Sequence, residues 1–181
     1  MRLLSIAALA AALLASSASL AIAAPASGID GIMSTVMQEN QSSISGLAIR
    51  GRLHSPMLLD NVTIMPTLEW WRSSNHVEPY GIESTRNDNT LGVDVRYEFS
   101  MKGMTPYAGA GLAAHFLSSR VDAPALGINN ATKSLTKGGL AFLGGVTIPL
   151  TGRVQNFLEL KYHHISDYRQ LKLNWGIAVT L

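Results

Sequence analysis

The chain has 181 residues, of which 47% are hydrophobic and 14% charged, and its formal net charge is +2 at pH 7. This length suits one domain with a sizeable core. The sequence contains no cysteine, which excludes disulfide frameworks, thiolate metal sites and cysteine nucleophiles. Acidic and basic residues are mixed along the chain without a basic stripe, so no nucleic-acid partner is expected.

The first segment has the pattern of a secretory signal peptide. Arg2 precedes an apolar stretch from Leu3 to about Ala15, and Ala21-Ile22-Ala23 provides the small-x-small pattern that a signal peptidase reads. The apolar stretch is shorter than the roughly 20 residues of a membrane-spanning helix. We therefore expect residues 1–23 to be a cleaved signal peptide and residues 24–181 to form the mature domain.

The mature part alternates between apolar and polar residues with period 2, which is typical of β-strands. In the stretch TLGVDVRYEF, Leu91, Val93 and Val95 fall on one face, while Asp94 and Arg96 fall on the other. The same alternation recurs in residues 43–53, 61–71, 106–116, 140–150, 156–166 and 170–181. These stretches match the ~9–11 residues that a tilted strand needs to cross a bilayer.

Loop lengths predict an even number of strands. Connections near 55–60, 101–104 and 151–153 are short, whereas 73–89 and 118–136 are long and polar, as in barrels with short periplasmic turns and longer outer loops. An eighth strand is therefore inferred within residues 29–40, with 38–42 as the first outer loop; a short helix or a disordered leader is the alternative there. The predicted fold is an all-β, eight-stranded, antiparallel, up-and-down transmembrane β-barrel.

Several stretches carry a family resemblance: RYEF at the end of one strand, TPYAGAGLAA at the start of the next, FLELKYHHIS, and the alternating C-terminal strand. Together they resemble the small bacterial outer-membrane β-barrels of the opacity-type and OmpA-like kind. The resemblance implies export to a Gram-negative outer membrane and contact with outer-membrane lipids, including lipopolysaccharide, and with the barrel-assembly machinery. It implies no cofactor, and it leaves the extracellular partner open.

The lumen of an eight-stranded barrel is about filled by its own side chains. Opposite charges in such a confined space are tolerated when they pair. The strand phase therefore predicts a network of ion pairs that plugs the barrel, and a narrow pore for small solutes is the alternative. The residues assigned to this lumen network are Arg50, Arg52, Glu69, Asp94, Arg96, Glu98, Glu159, Lys161, His163 and Lys172.

The acidic residues of the segment 73–89 suggest a metal site at first sight. Glu78, Glu83 and Asp88 occur there with His76, but their spacing matches neither a twelve-residue calcium loop nor a histidine pair on a helix. We expect a solvated loop here and no metal site.

The stretch KYHHISDY places two histidines, a serine and an aspartate within five positions. By the strand phase, His164 and Ser166 share the outward face, whereas His163 and Asp167 point inward. The His-x-Ser pair is similar to that of outer-membrane lipid A 3-O-deacylases. This resemblance implies His164 as the base and Ser166 as the nucleophile that attacks an acyl ester.

The similarity ends after these residues. The deacylases continue with Asn-Ala and supply a glutamate from the next strand, whereas this chain continues with Asp167-Tyr168 and has Ala178 in the corresponding strand. Because the third catalytic group is missing, a pair of polar residues at the lipid headgroup layer is favoured over an esterase. The predicted function is therefore a structural or surface-interaction role through the outer loops, with the deacylase and the narrow pore as alternatives.

Overall fold

The computed structural model describes residues 26–38, 42–54, 59–77, 81–166 and 168–181. The described part is built almost entirely of strands, with one short 3₁₀ helix at Pro124–Leu126. The strands are β1 (Ala26–Gln38), β2 (Ile44–Leu53), β3 (Val62–Val77), β4 (Ile82–Glu98), β5 (Thr105–Ala123), β6 (Ile128–Thr151), β7 (Val154–Ile165) and β8 (Tyr168–Thr180). Within the described residues, no helix has the length and apolar character required to span a bilayer.

The eight strands close into one antiparallel barrel. Each strand pairs with the next, and β1 pairs with β8 from Gly28↔Thr180 to Gln38↔Gln170. The predicted fold class is confirmed, and so is the first strand, because residues 26–38 form β1 rather than a helix. Closure leaves no free sheet edge in the barrel wall, which a bilayer requires because lipid cannot satisfy open backbone hydrogen-bonding groups.

Apolar side chains cover the outside of the barrel and polar ones fill the inside. In β4, Leu91 and Val95 are 41% and 45% exposed, whereas Asp94 and Arg96 are 1% and 2% exposed. A soluble barrel would bury its apolar face, so this reversed arrangement is the transmembrane form. The two faces predicted from the alternation are confirmed in β3, β4, β6, β7 and β8.

The prediction of two long loops at 73–89 and 118–136 is wrong for most of their length. Strands β3 and β4 stay paired out to Val77↔Ile82, and β5 and β6 are paired out to Ala123↔Ile128. Along most of these segments both faces are exposed or half-buried, so the apolar period of 2 is lost while the hydrogen-bond ladder continues. The sequence pattern reports burial on one face, and it cannot detect a strand that buries neither face.

These extensions project beyond the barrel as a four-stranded sheet. Pairing of β2 with β3 ends at Gly46↔Trp71, and pairing of β6 with β7 begins at Gly139↔Ile165. We call this projection the outer sheet; it comprises residues 72–77, 82–89, 117–123 and 128–138. The opposite end of the barrel contains the short turns, the start of β1 and the end of β8, and we call it the turn end.

The turn end agrees with the predicted short connections. Residues 101–104 form a tight turn closed by a bridge between Met101 and Met104, and Gly152 lies in the turn between β6 and β7. Gly103 and Gly152 adopt φ values of 81° and 49°, which favour glycine because they lie in the left-handed region. Residues 55–58 of a third connection, 39–41 of the predicted first outer loop and the predicted signal peptide lie outside the described residues.

Candidate functional site

Charged side chains fill the barrel lumen in equal numbers of each sign. Of the ten residues assigned to the lumen network from the sequence, nine are buried and Glu98 is half-buried. Among the described residues, the buried charged side chains are five acids (Asp30, Glu69, Asp88, Asp94, Glu159) and five bases (Arg50, Arg52, Arg96, Lys161, Lys172). This balance is what a water-poor interior requires, because an unpaired buried charge is costly.

Nearest the turn end, two arginines share the buried Asp30. The Nε atoms of Arg50 and Arg52 donate to the two Asp30 oxygens over 2.8 and 2.6 Å. Arg50 also donates to Glu159 Oε2 over 2.7 Å, and this carboxylate accepts the Tyr107 hydroxyl at 3.0 Å. Strands on opposite sides of the barrel are thereby joined through the lumen.

In the middle of the lumen, two lysines hold two carboxylates. Lys161 Nζ donates to Glu69 Oε1 over 2.9 Å and to Asp94 Oδ2 over 2.7 Å. Lys172 donates to the second oxygen of Glu69. The four side chains come from β3, β4, β7 and β8, so the ion pairs bridge strands that do not neighbour one another.

Toward the outer sheet, a buried carboxylate and two histidines form a third cluster. Asp88 Oδ2 lies 3.0 Å from His115 Nδ1, and His115 Nε2 lies 3.1 Å from His163 Nδ1. Thr90 and Gln170 also donate to Asp88, over 3.1 and 3.2 Å. The Nε2 atom of His163 has no hydrogen-bond partner within the described structure.

Sequence reasoning missed two acids and one histidine of these clusters. Asp30 lies on the inward face of β1, and the alternation of apolar and polar residues within this inferred strand already places it there. Asp88 was assigned to a solvated loop, but it is a fully buried residue of β4. His115 occupies an inward position of β5 that the alternation of residues 106–116 already indicated.

Lumen glycines make room for the large aromatic residues. A Cβ atom at Gly176 would lie 2.6 Å from Phe157 Cζ, and one at Gly145 would lie 2.6 Å from Tyr107 Cζ. The guanidinium of Arg50 lies 4.8 Å from the Phe157 ring centroid, so this ring also supports the arginine. Glycine at position 176 therefore positions the ion pairs indirectly, through the aromatic ring.

The proposed esterase pair lies outside the lumen. His164 and Ser166 are exposed on the outward side at the end of β7, opposite in direction to the buried His163. No hydrogen bond links either side chain to another described residue, and the strand partners of His164 are Leu140 and Arg169, neither of which is an acid. Asp167 lies outside the described residues. The described residues thus provide no carboxylate to orient His164.

A cavity of about 320 Å³ opens at the mouth of the barrel, where the outer sheet begins. Its lining includes Trp71, Gln38, Arg86, Lys133 and Tyr168. The indole nitrogen of Trp71 and the amide nitrogen of Gln38 are buried donors without a hydrogen-bond partner in the described structure. We call this cavity the mouth pocket.

No group of three or more His, Cys, Asp or Glu side chains among the described residues is arranged to hold a metal ion. Of the three acids in the segment 73–89, Asp88 is buried in the lumen, Glu83 is exposed on β4, and Glu78 lies outside the described residues.

No family model matches the chain, and no curated protein sequence matches it. Solved structures do. Neisserial surface protein A is similar with a TM-score of 0.62 and 17% identity, covering 86% of this chain and 96% of that one. Ail of Yersinia pestis, in complex with the heparin analogue sucrose octasulfate, is similar with a TM-score of 0.60 and 11% identity, covering 86% of this chain and 97% of that one. The N-terminal β-barrel domain of Pseudomonas aeruginosa OprF is similar with a TM-score of 0.54 and 14% identity, covering 87% of this chain and 100% of that one. The predicted resemblance to small outer-membrane barrels is thereby confirmed at the level of the fold.

Proposed function

We propose that this protein is a bacterial outer-membrane barrel with a plugged lumen, which acts at the cell surface as a structural or surface-interaction protein through its outer sheet. The observation that carries the proposal is the pairing of buried charges across the lumen. Arg50 to Glu159 and Lys161 to Glu69 and Asp94 connect distant strands at hydrogen-bonding distance.

A plugged lumen follows from the energetics of buried charges. An ion that crossed the barrel would have to displace partners that each compensate a desolvated charge. A lumen of eight strands holds few waters that could replace those partners. The narrow pore for small solutes is therefore the less favoured reading.

The orientation in the membrane follows from the two barrel ends. Outer-membrane barrels place short turns in the periplasm and longer connections outside. The outer sheet would accordingly face the surroundings of the cell. The outward surface of the barrel just below this sheet would contact lipopolysaccharide. Export by a signal peptide at residues 1–23 and insertion by the barrel-assembly machinery belong to the same proposal.

A surface-interaction role is supported by the composition of the outer sheet. Most residues of its strands are polar, and its two outer edges, in β3 and β6, pair with no strand of the described residues. The structurally similar barrel crystallised with sucrose octasulfate indicates that a barrel of this fold is compatible with contact to a charged saccharide.

Two measurements test the proposal. Purified protein reconstituted in planar bilayers is expected to show no stable openings, and ion-selective openings from pure protein would overturn the plug.

Because the chain has no cysteine, single cysteines can report the orientation. Ser134→Cys in the outer sheet should react with a membrane-impermeant maleimide on intact cells, and Lys102→Cys at the turn end should react only after lysis. The reverse labelling pattern would overturn the orientation.

A further inference from the structure

We propose that the mouth pocket binds a sugar that carries a phosphate or sulfate group. The inference rests on the proposed orientation, which makes the pocket accessible from outside. Its first support is a row of three residues across neighbouring strands. The strand register pairs Arg86 of β4 with Ser119 of β5, and Ser119 with Lys133 of β6. All three line the pocket, so two cations flank a hydroxyl along one wall.

The second support is a pair of buried donors beneath this row. Trp71 is paired with Asp88, two positions below Arg86 on β4, and its indole nitrogen has no partner in the described structure. The Gln38 amide nitrogen on β1 is also buried and without a partner there. Buried donors are normally satisfied, so each one that is not requires an explanation such as a bound group. Both donors line the same pocket, and oxygens of an anion would satisfy them.

The local charge also favours an anion. Arg86, Lys133 and Arg169 line the pocket, and none forms an ion pair with a carboxylate of the described residues. The nearest buried acid, Asp88, is already bound by Thr90, His115 and Gln170. Its oxygens are thereby occupied by groups on the lumen side, and the cations above it keep their N–H donors for a ligand.

The remaining wall suits the body of a sugar. Leu117, Leu135 and Tyr168 contribute apolar surface next to the cations. The volume of about 320 Å³ lies at the small end of ligand sites, which is the scale of a single substituted sugar ring. A phosphorylated or sulfated monosaccharide unit, free or at the end of a lipid-linked saccharide, is the ligand class that combines these features.

The experiment uses the three tryptophans of the chain as reporters. In ¹⁵N-labelled barrel refolded in detergent micelles, addition of N-acetylglucosamine 6-phosphate should shift the indole signal of Trp71 in a saturable way. The signals of Trp70 and Trp175, which lie on the outward face, should not move. Neutral N-acetylglucosamine should leave all three unchanged. No shift of Trp71 with the phosphate would overturn the site, and an equal shift with the neutral sugar would overturn the anion preference.

Matched variants separate the site from general charge. The double substitution Arg86→Gln and Lys133→Gln should raise the Kd by roughly tenfold or more, because it removes two charge-assisted contacts. Lys102→Gln with Arg153→Gln removes the same charge from exposed turns at the other end and should leave the Kd unchanged. Equal weakening by both pairs would mean unspecific attraction and would overturn the proposal.

Nanodiscs distinguish the source of the ligand. If the sugar belongs to lipopolysaccharide, Trp71 should already be shifted in lipopolysaccharide discs and not in phospholipid discs, and the Arg86/Lys133 variant should abolish the shift. If the sugar is free, only the added sugar phosphate should act. Both results support the site. A failed cysteine-labelling test with a positive titration would reject the orientation alone.

Discussion

Arg50 and Glu159 are 109 positions apart in the sequence, yet a guanidinium nitrogen and a carboxylate oxygen lie 2.7 Å apart in the lumen. The same carboxylate accepts from Tyr107 and Asn174. Glu159 therefore connects side chains from β2, β5, β7 and β8, and its charge compensates an arginine that is 1% exposed.

Glu159→Gln is expected to lower the free energy of unfolding by about 3–5 kcal/mol, because Arg50 and Arg52 would then share Asp30 alone and one buried positive charge would lack a counter-charge. Urea unfolding in lipid, followed by the gel mobility of unheated samples, measures the change. Glu83→Gln is the matched control, since that carboxylate is 69% exposed and should hardly alter stability. Equal stability of the two variants would contradict the network.

Gly176→Ala should destabilise the barrel by about 1–3 kcal/mol, the usual cost of overpacking, since the added methyl group would collide with the backbone carbonyl oxygen of Gly31 and with the Phe157 ring. Gly31→Ala on the paired strand β1 serves as the control, because a Cβ there meets nothing within 4 Å. Unfolding in urea compares the two. Tolerance of alanine at both positions would show that the Phe157 ring and the Gly31 carbonyl can both shift to make room.

His115→Phe should be more destabilising than His163→Phe. The first substitution removes a hydrogen bond to the buried Asp88 carboxylate, and hydrogen bonds to charged groups contribute about 1.5–3 kcal/mol. The second removes the hydrogen bond between the two imidazole rings and also removes the unpartnered Nε2 of His163. The midpoints of urea unfolding provide the comparison, provided that the dependence of the unfolding free energy on urea concentration is the same for both variants. The opposite ranking would rule out Asp88 as the centre of the cluster.

Expression of the protein should leave the mass of lipid A unchanged, because no described carboxylate is placed to orient His164. Mass spectrometry of lipid A from strains with and without the protein checks this. Loss of one acyl chain that disappears in both His164→Ala and Ser166→Ala would instead establish the deacylase. Loss that persists in these variants would point to another enzyme of the host strain.

The sequence alone determined which side chains face the lumen over most of the wall. Alternation along a strand is a local property, so Asp94 and Arg96 could be separated from Leu91 and Val93 without knowing any partner strand. The same signal failed for Asp88, because the residues before it in β4 are exposed or half-buried on both faces and therefore show no alternation. It also left Asp30 unnoticed, since β1 itself was only inferred from the even strand count.

Only the tertiary structure decided which charges meet. Whether Lys161 pairs with Glu69 and Asp94, or Arg50 with Glu159, depends on the strand register and on closure between β1 and β8. These are relationships between residues far apart in the chain, and the alternation within any single strand is compatible with several registers that differ by two residues. The mouth pocket arises in the same way. Arg86, Ser119 and Lys133 become neighbours because three strands continue together past the membrane.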